Sequence, residues 1–463
     1  MPPSEHPYVD VPLNLGTKNI RLLTLEPGDA SESIECTLQS YALDNNYPSY
    51  VALSYAWGAK ERYNDIQING SSFPVGHNLW HFLHQMRMQR QHVLFWIDAI
   101  SIDQANIFEQ NHQVQMMREI YTQACSVWIW LGEVDGYTSS DIAMRHLNTR
   151  LAFSGKNVGL KRPLKLWHAH QEEGILELCQ RQYWQRIWIV QEVLLATEVK
   201  ILCGGLCIDS MKLQELLEDV QAVAYKSPGE RTVLSSPAAV IIGAKAQWNG
   251  QLQPLALLLE RYRKQRSTDV RDKVYALHGL ASDSDAIAID YNIDPKELLV
   301  QIINHIYSPQ ATKMDTRRSE RGIFCFAKLM RKSLKVSCDM DELAHIVSLA
   351  QRDCSLSAIH QTTECISAVP VPQNSVEDTR PVEQKLADLD HDITAYSNVT
   401  TKECARICQH RGDTAYFGTG VRGMMECIIC DDHDPDEFMD RLVQDHEHLL
   451  TQIKFASRYS RTS

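Results

Sequence analysis

Short apolar runs alternate with stretches of helical periodicity along the N-terminal half of the chain. Mostly apolar runs bounded by polar residues are typical of buried strands, and they lie at 19–28, 33–43, 50–58, 92–103, 125–133 and 198–205. Apolar positions three and four residues apart predict helices, which we place at 77–90, 106–124 and 181–196. Asn69-Gly70 predicts a tight hairpin within 65–76. The alternation predicts an α/β fold with a mostly parallel sheet flanked by helices.

The periodicity changes along the chain and divides it into five regions. A polar lead-in at 1–18 is expected to be flexible, and the α/β domain follows at 19–205. A mainly helical extension occupies 206–310. Residues 311–400 have weaker periodicity and include a proline-containing stretch, so we expect a helical or irregular region with a linker. The acidic segment 401–463 carries cysteines and histidines and is predicted to be a weakly structured tail.

Composition and charge exclude several classes of protein. The chain has 463 residues and a formal net charge of −12, which argues against nucleic-acid partners because these require a basic surface. No apolar run approaches the roughly 18 residues of a membrane-spanning helix. Thirteen cysteines and no apolar leader sequence predict a cytoplasmic protein with reduced thiols. The stretch "GKNVGLKR" lacks the spacing of a phosphate-binding loop, so no ATPase is predicted.

Four stretches of the sequence resemble one protein family. They are "ALSYAWG", "WIDAISIDQANIFEQNHQVQMMREIYTQACSVWIWLG", "WQRIWIVQEVLLA" and "STDVRDKVYALHGLASD". Their order and spacing resemble the fungal heterokaryon-incompatibility (HET) domain family over about residues 20–300. The family's motif positions fall on Leu53, Ser54, Tyr55, Trp57, Gly58, Trp96, Ile97, Asp98, Ile102, Gln104, Glu109, Gln113, Met117, Ile120, Tyr121, Trp184, Arg186, Trp188, Gln191, Glu192, Asp269, Arg271, Asp272, Tyr275, Leu277 and Gly279. Ala99, Ser101 and Asp103 depart from the family, which more often has Leu, Cys and Asn.

The resemblance implies a role in nonself recognition that leads to cell death. HET domains in turn look distantly like Toll/interleukin receptor (TIR) domains, some of which cleave NAD at its nicotinamide–ribose bond. By that resemblance Glu192 is the candidate catalytic carboxylate of an NAD glycohydrolase. The candidate substrate-binding residues are Ser54, Tyr55, Trp57, Gly58, Asp98 and Trp188. The alternative is a non-enzymatic module that recruits other proteins, either an incompatibility partner or further copies of itself.

The surroundings of Glu192 favour unusual acid chemistry. Trp184, Trp188 and Glu192 lie four residues apart, so on one helix they would share a face. A carboxyl next to two tryptophans is expected to have a raised pKa, because burial disfavours its charged form. A carboxylate of this kind can stabilise the oxocarbenium-like transition state of glycosidic cleavage. A buried ion pair with Arg186 would explain the same pattern without catalysis.

Other acidic residues have simpler structural explanations. Glu109 lies three residues after Asn106, which is the spacing of a helix capping box. Asp98 ends the "FWID" part of its predicted strand, and open α/β sheets place ligand-binding groups at the carboxyl ends of strands; it can equally cap the next loop. Arg271 and Asp272 are expected to form an intradomain salt-bridge and capping set.

The tail contains a possible metal site. Cys427 and Cys430 form a C-x-x-C pair with histidines nearby, which is a spacing found in structural zinc sites. Ordinary thiols in a poorly structured tail are the alternative. Its acidic character argues against nucleic-acid contact in either case.

Overall fold

The computed structural model describes residues 7–29, 31–44, 47–58, 63–89, 93–133, 139–150, 166–223, 226–307 and 320–351. The predicted zinc pair Cys427 and Cys430 lies outside the described residues, as do the tail at 401–463 and much of 311–400. No helix in these ranges is long and apolar enough to cross a membrane.

Nine strands form one sheet. They are β1 (Asn19–Leu25), β2 (Glu35–Ala42), β3 (Tyr50–Tyr55), β4 (Tyr63–Ile68), β5 (Ser71–Gly76), β6 (Leu94–Trp96), β7 (Ser126–Trp130), β8 (Val199–Cys203) and β9 (Leu206–Asp209). The spatial order is β5-β4-β2-β1-β6-β3-β7-β8-β9. The central strands β6, β3, β7 and β8 are mutually parallel. Antiparallel pairs adjoin them on both sides, through β1 and through β9, so the sheet as a whole is mixed.

Helices flank the sheet and continue beyond it, which confirms the α/β class. They are α1 (His77–Met88), α2 (Asp98–Ser101), α3 (Ile107–Gln115), α4 (Met117–Gln123), α5 (Ser139–Thr149), α6 (Ala169–Gln180), α7 (Trp188–Leu195), α8 (Ser210–Ala222), α9 (Pro228–Leu234), α10 (Pro237–Gln247), α11 (Leu255–Arg261), α12 (Asp272–Tyr275), α13 (Pro295–Tyr307) and α14 (Glu320–Ser333). A short 3₁₀ turn, Gln182–Gln185, precedes α7, and a further helical run occupies 340–351.

The hairpin between β4 and β5 forms where the sequence predicts it. Asn69 and Gly70 both have positive φ, 52° and 80°, as a tight two-residue turn requires. The side-chain oxygen of Asn69 also accepts a hydrogen bond of 2.9 Å from the backbone N–H of Leu38. The turn residues therefore fix the hairpin and attach it to β2.

The two faces of the sheet bury different side chains because alternate residues of a strand point in opposite directions. On one face, the apolar cluster that includes Ala52 continues through the helices as far as Ala350. On the other face, the cluster that includes Leu53 packs against α1. The α/β domain and the helical extension thus share one hydrophobic core. The lead-in also contributes: the Tyr8 hydroxyl donates to the carbonyl of Ile102 at 3.1 Å.

Three predicted elements are shorter than expected or interrupted. The predicted strand 92–103 ends at Trp96, and the predicted helix 106–124 divides into α3 and α4 at Met116. The prediction of one continuous helix over 181–196 is wrong. Arg186 is extended there (φ −75°, ψ 140°) and forms a parallel bridge with Arg266.

Candidate active site

The strand order has a topological switch point at the carboxyl end of β3. Among the parallel strands β6, β3, β7 and β8, the chain visits β3 first, then β6 on one side, then β7 on the other. The order therefore reverses next to β3. Open α/β sheets bind ligands at such a switch point, outside the carboxyl ends of the strands. The residues that follow β3 and those that follow β6 meet at this switch point, where Trp57 contacts Asp98.

Strand alternation directs Ser54 towards α7. Its hydroxyl donates a hydrogen bond to the Glu192 carboxylate and lies 2.6 Å from the Tyr183 hydroxyl. When Glu192 is ionised, the serine proton goes to the carboxylate, so Tyr183 then donates to Ser54. All three side chains are almost fully buried, with Glu192 2% exposed. The structure thus brings together Ser54 and Glu192, which the sequence assigns to one site, although 138 positions separate them.

Burial raises the pKa of Glu192 from its ordinary 4.5 to about 7. The positive charge of Arg186 and the hydrogen bond from Ser54 oppose the rise, whereas the neighbouring charge of Asp98 adds to it. A carboxyl with a pKa near neutrality can exchange a proton under physiological conditions, which general acid–base work requires. Burial therefore raises the pKa of Glu192, in the direction that the sequence predicts.

A second carboxyl group lies on the same rim. The indole N–H of Trp57 donates to Asp98 Oδ2 at 2.9 Å, and the Tyr55 hydroxyl hydrogen-bonds the same carboxyl group. Burial raises the pKa of Asp98, and Arg186 acts against this rise. The Arg186 guanidinium donates to the carbonyl oxygen of Tyr55. One guanidinium thus lies close enough to influence both carboxyl groups.

The predicted substrate-binding residues at the end of β3, Ser54, Tyr55, Trp57 and Gly58, form a lip that is only partly exposed to solvent. The buried part of β3 continues through Ser54 to Tyr55. Trp57 is 44% exposed, and Gly58 has a φ of +80°, a conformation that favours glycine. Only these last positions of the predicted lip reach solvent to a substantial extent. The side-chain amide of Asn78 in α1 donates to the carbonyl of Ala56 at 2.6 Å and holds the lip in place.

Trp184 and Trp188 do not both line the Glu192 face. Because the helix is interrupted at Arg186, only Trp188 shares α7 with Glu192. Trp188 is half-buried and hydrogen-bonds Asp272, a carboxyl whose pKa burial raises to about 6. Trp184 is fully buried in the core, and its indole N–H donates to Leu178. Trp184 and Trp188 therefore do not form with Glu192 the shared helix face that the sequence predicts.

Tyr183 belongs to the site but is not among the residues that the sequence predicts. It immediately precedes Trp184, the first residue of the third family stretch, and that proximity is the available signal. The sequence predicts Arg186 as a motif position and as an ion-pair partner of Glu192. Its observed hydrogen bond to the β3 backbone depends on the extended conformation at the helix interruption.

Glu109 has a structural role, though not the predicted one. Asn106 caps α3 by accepting from the backbone N–H groups of Phe108 and Glu109. The Glu109 carboxylate instead binds the Arg21 guanidinium with two hydrogen bonds, of 2.6 and 3.0 Å. It also accepts from the backbone N–H of Asp103 at 2.6 Å. The Glu109 side chain therefore does not return to the backbone N–H of Asn106, as it would in a capping box, but forms a buried ion pair with Arg21.

Arg271 and Asp272 also make structural contacts. Arg271 pairs with Asp269 at 2.7 Å and donates to the carbonyl of Ile293 at 3.0 Å. Asp272 lies in the first turn of α12 and accepts a hydrogen bond of 2.6 Å from the Tyr291 hydroxyl. Both contacts hold the helical extension together.

Comparisons with known proteins agree with the family resemblance of the N-terminal motif stretches. Residues 50–192 match the family model "Heterokaryon incompatibility protein (HET)". The chain is also 25% identical over 358 residues to "Heterokaryon incompatibility protein 6, OR allele" of Neurospora crassa. That alignment covers 64% of this chain and 52% of the relative, so the chain spans about half the length of the curated protein it matches. No solved structure matches the chain.

Proposed function

We propose, from the premise that residues 50–192 form a HET domain, that the chain acts in fungal nonself recognition leading to cell death. The Neurospora relative is an incompatibility protein by name. We further propose that the switch point at β3 is a TIR-like site that cleaves NAD between nicotinamide and ribose. The contact between Ser54 and Glu192 at the switch point is the single observation that carries the enzymatic proposal.

The site groups suit this reaction. When the glycosidic C–N bond breaks, its electron pair goes to the nicotinamide nitrogen, and positive charge develops on the ribose ring. Ionised Glu192 stabilises that charge electrostatically. A water molecule then adds its oxygen to the anomeric carbon and loses a proton, which the Glu192 carboxylate accepts. Ser54 orients the carboxylate through its hydrogen bond.

Trp57 and Asp98 are the proposed substrate-binding groups of the lip. The indole ring is substantially exposed and offers an aromatic surface on which the nicotinamide can stack. Its N–H is already bonded to Asp98, so the ring orientation is set before substrate arrives. Gly58 allows close approach of a ligand to the backbone because it has no Cβ.

A non-enzymatic assembly module is the second candidate function. Glu192 is 2% exposed and hydrogen-bonded to Ser54, an arrangement that also stabilises a domain without any substrate. In this alternative the exposed ring of Trp57 contacts a protein partner or a second copy of the chain.

Nicotinamide release from NAD distinguishes the two candidates. The full chain should release nicotinamide, and Glu192→Gln should abolish release because it keeps the side-chain volume and removes the negative charge. Glu230→Gln is the matched control. Glu230 is also a buried glutamate, but it caps α9 through Ser227, and glutamine can preserve that capping box.

Each outcome of this assay is informative. Loss of turnover in Glu192→Gln alone, with unchanged circular dichroism, supports the enzyme. Equal turnover in wild type and Glu192→Gln removes Glu192 from the mechanism. Absence of turnover in concentrated wild-type protein, together with concentration-dependent self-association that Trp57→Ala abolishes, favours the assembly module.

A further inference from the structure

Two histidines at the start of α1 direct the same ring nitrogen at each other. His77 and His81 are one helical turn apart, so they share a face of α1. Their Nε2 atoms lie 2.9 Å apart. His77 is exposed and His81 is partly exposed, so solvent ions reach both rings.

The other nitrogen of each ring faces an oxygen acceptor. His77 Nδ1 lies 3.0 Å from Asn64 Oδ1 in β4. His81 Nδ1 lies 2.7 Å from Glu133 Oε1, in the segment after β7. An oxygen of either kind accepts a hydrogen bond, so each Nδ1 is the protonated nitrogen of its ring. In neutral rings this tautomer leaves both Nε2 atoms as unprotonated electron-pair donors.

Two ring nitrogens at this separation either share one proton or bind one metal ion between them. We propose that His77 and His81 chelate one divalent transition-metal ion, of the zinc, nickel or cobalt class, through their Nε2 atoms. Metal–imidazole bonds of about 2.0–2.1 Å place two ligating nitrogens about 2.9 Å apart at a right angle and about 3.3 Å apart in a tetrahedron. The observed separation fits this range. Imidazole is a preferred ligand of these metals.

The groups next to the two histidines resemble those that orient ligating histidines in metal sites. Ligating histidines commonly donate their remaining N–H to a carboxylate or carbonyl oxygen, which fixes the ring orientation. Glu133 and Asn64 supply such oxygens. The described ranges contain no group of three or more His, Cys, Asp and Glu residues arranged to hold a metal, so water completes the coordination.

The site is adjacent to the candidate active site but chemically separate from it. Asn78, the residue after His77, holds the lip through Ala56, and Glu133 follows the strand next to β3. A bound ion would therefore connect the first turn of α1 to the segment after β7. The inference does not depend on NAD cleavage.

Cobalt titration of the full chain tests the proposal. The Cys427→Ser/Cys430→Ser background removes the tail pair as a competing ligand. In this background we expect one equivalent of Co²⁺ to bind at neutral pH, with weak visible bands and no thiolate charge-transfer absorption. His77→Ala/His81→Ala should abolish this binding. Glu133→Ala should weaken it by about 10-fold, as loss of a ligand-orienting carboxylate does elsewhere.

His84→Ala is the matched control. His84 lies on the same helix, and its ring stacks on Trp80 with centroids 5.0 Å apart, so its removal should leave Co²⁺ affinity unchanged. Circular dichroism checks that every variant folds. Binding of the same equivalent by the double histidine variant would overturn the proposal. So would the absence of Co²⁺ uptake by the parent protein, because the histidines would then share a proton instead.

Discussion

Replacement of Glu192 by glutamine should change how protein stability depends on pH. The carboxyl is buried against Ser54, and burial raises its pKa from 4.5 to about 7. Glutamine has nearly the same shape, can still accept the hydrogen bond from Ser54, and does not titrate. The difference between the two proteins therefore isolates the ionisation of one side chain.

The sign follows from proton binding in the two states. Between about pH 4.5 and 7 the native protein keeps the Glu192 proton, while the unfolded chain has already released it. Wild-type stability therefore falls as pH rises through this window. A shift of about 2.5 pKa units corresponds to about 3 kcal/mol in total at 1.36 kcal/mol per unit. Most of it, about 2 to 3 kcal/mol, accrues between about pH 5 and pH 8. Glu192→Gln should gain that amount relative to wild type.

Urea unfolding at a series of pH values measures this quantity. The free energy of unfolding is obtained for both proteins at each pH, and the variant-minus-wild-type difference is plotted against pH. We expect the difference to rise through the window and become constant above it. A difference that stays level from about pH 5 to pH 8 would refute the reasoning, since it would mean that Glu192 titrates alike in both states.

Four further substitutions test other parts of the fold. Glu109→Ala leaves the buried Arg21 guanidinium without its carboxylate and should cost about 3 to 5 kcal/mol in urea unfolding; a loss below about 1 kcal/mol would contradict a buried pair. Gly279→Ala places a Cβ 2.5 Å from a side-chain oxygen of α7 and should cost about 1 to 3 kcal/mol. The Cβ added by Gly243→Ala in α10 meets open space, so this substitution should instead raise the free energy of unfolding by up to about 1 kcal/mol. Equal shifts of the melting temperature in Gly279→Ala and Gly243→Ala would contradict this account. Tyr183→Phe removes one buried hydroxyl donor and should cost about 1 to 2 kcal/mol in urea unfolding, and an unchanged stability would show that the bond contributes nothing.

Local sequence patterns predict much of the sheet. The apolar run at β3 and the Asn69-Gly70 turn each carry their signal within a few residues. The family resemblance then placed Ser54 and Glu192 in one site, which periodicity alone does not do. The two side chains are in contact, and the pKa of Glu192 is raised in the expected direction.

Features set by distant partners were not predictable from local patterns. Glu109 has the spacing of a capping residue, but its partner Arg21 is 88 positions away. The interruption before α7 has no proline or glycine to mark it, because the extended backbone at Arg186 is stabilised by pairing with Arg266. Helical periodicity on both sides of Arg186 therefore predicted one helix where the structure has two segments.

The pairing of Arg186 with Arg266 has a consequence for experiments that exchange segments between related chains. The backbone N–H of Ile187 donates to the Arg266 carbonyl at 2.8 Å, and Arg186 reaches the β3 backbone from this position. The joint also depends on a side chain, because the Gln265 amide donates to the Trp184 carbonyl at 3.0 Å. A chimera that exchanges segments between related chains should therefore take both sides of the joint from the same donor.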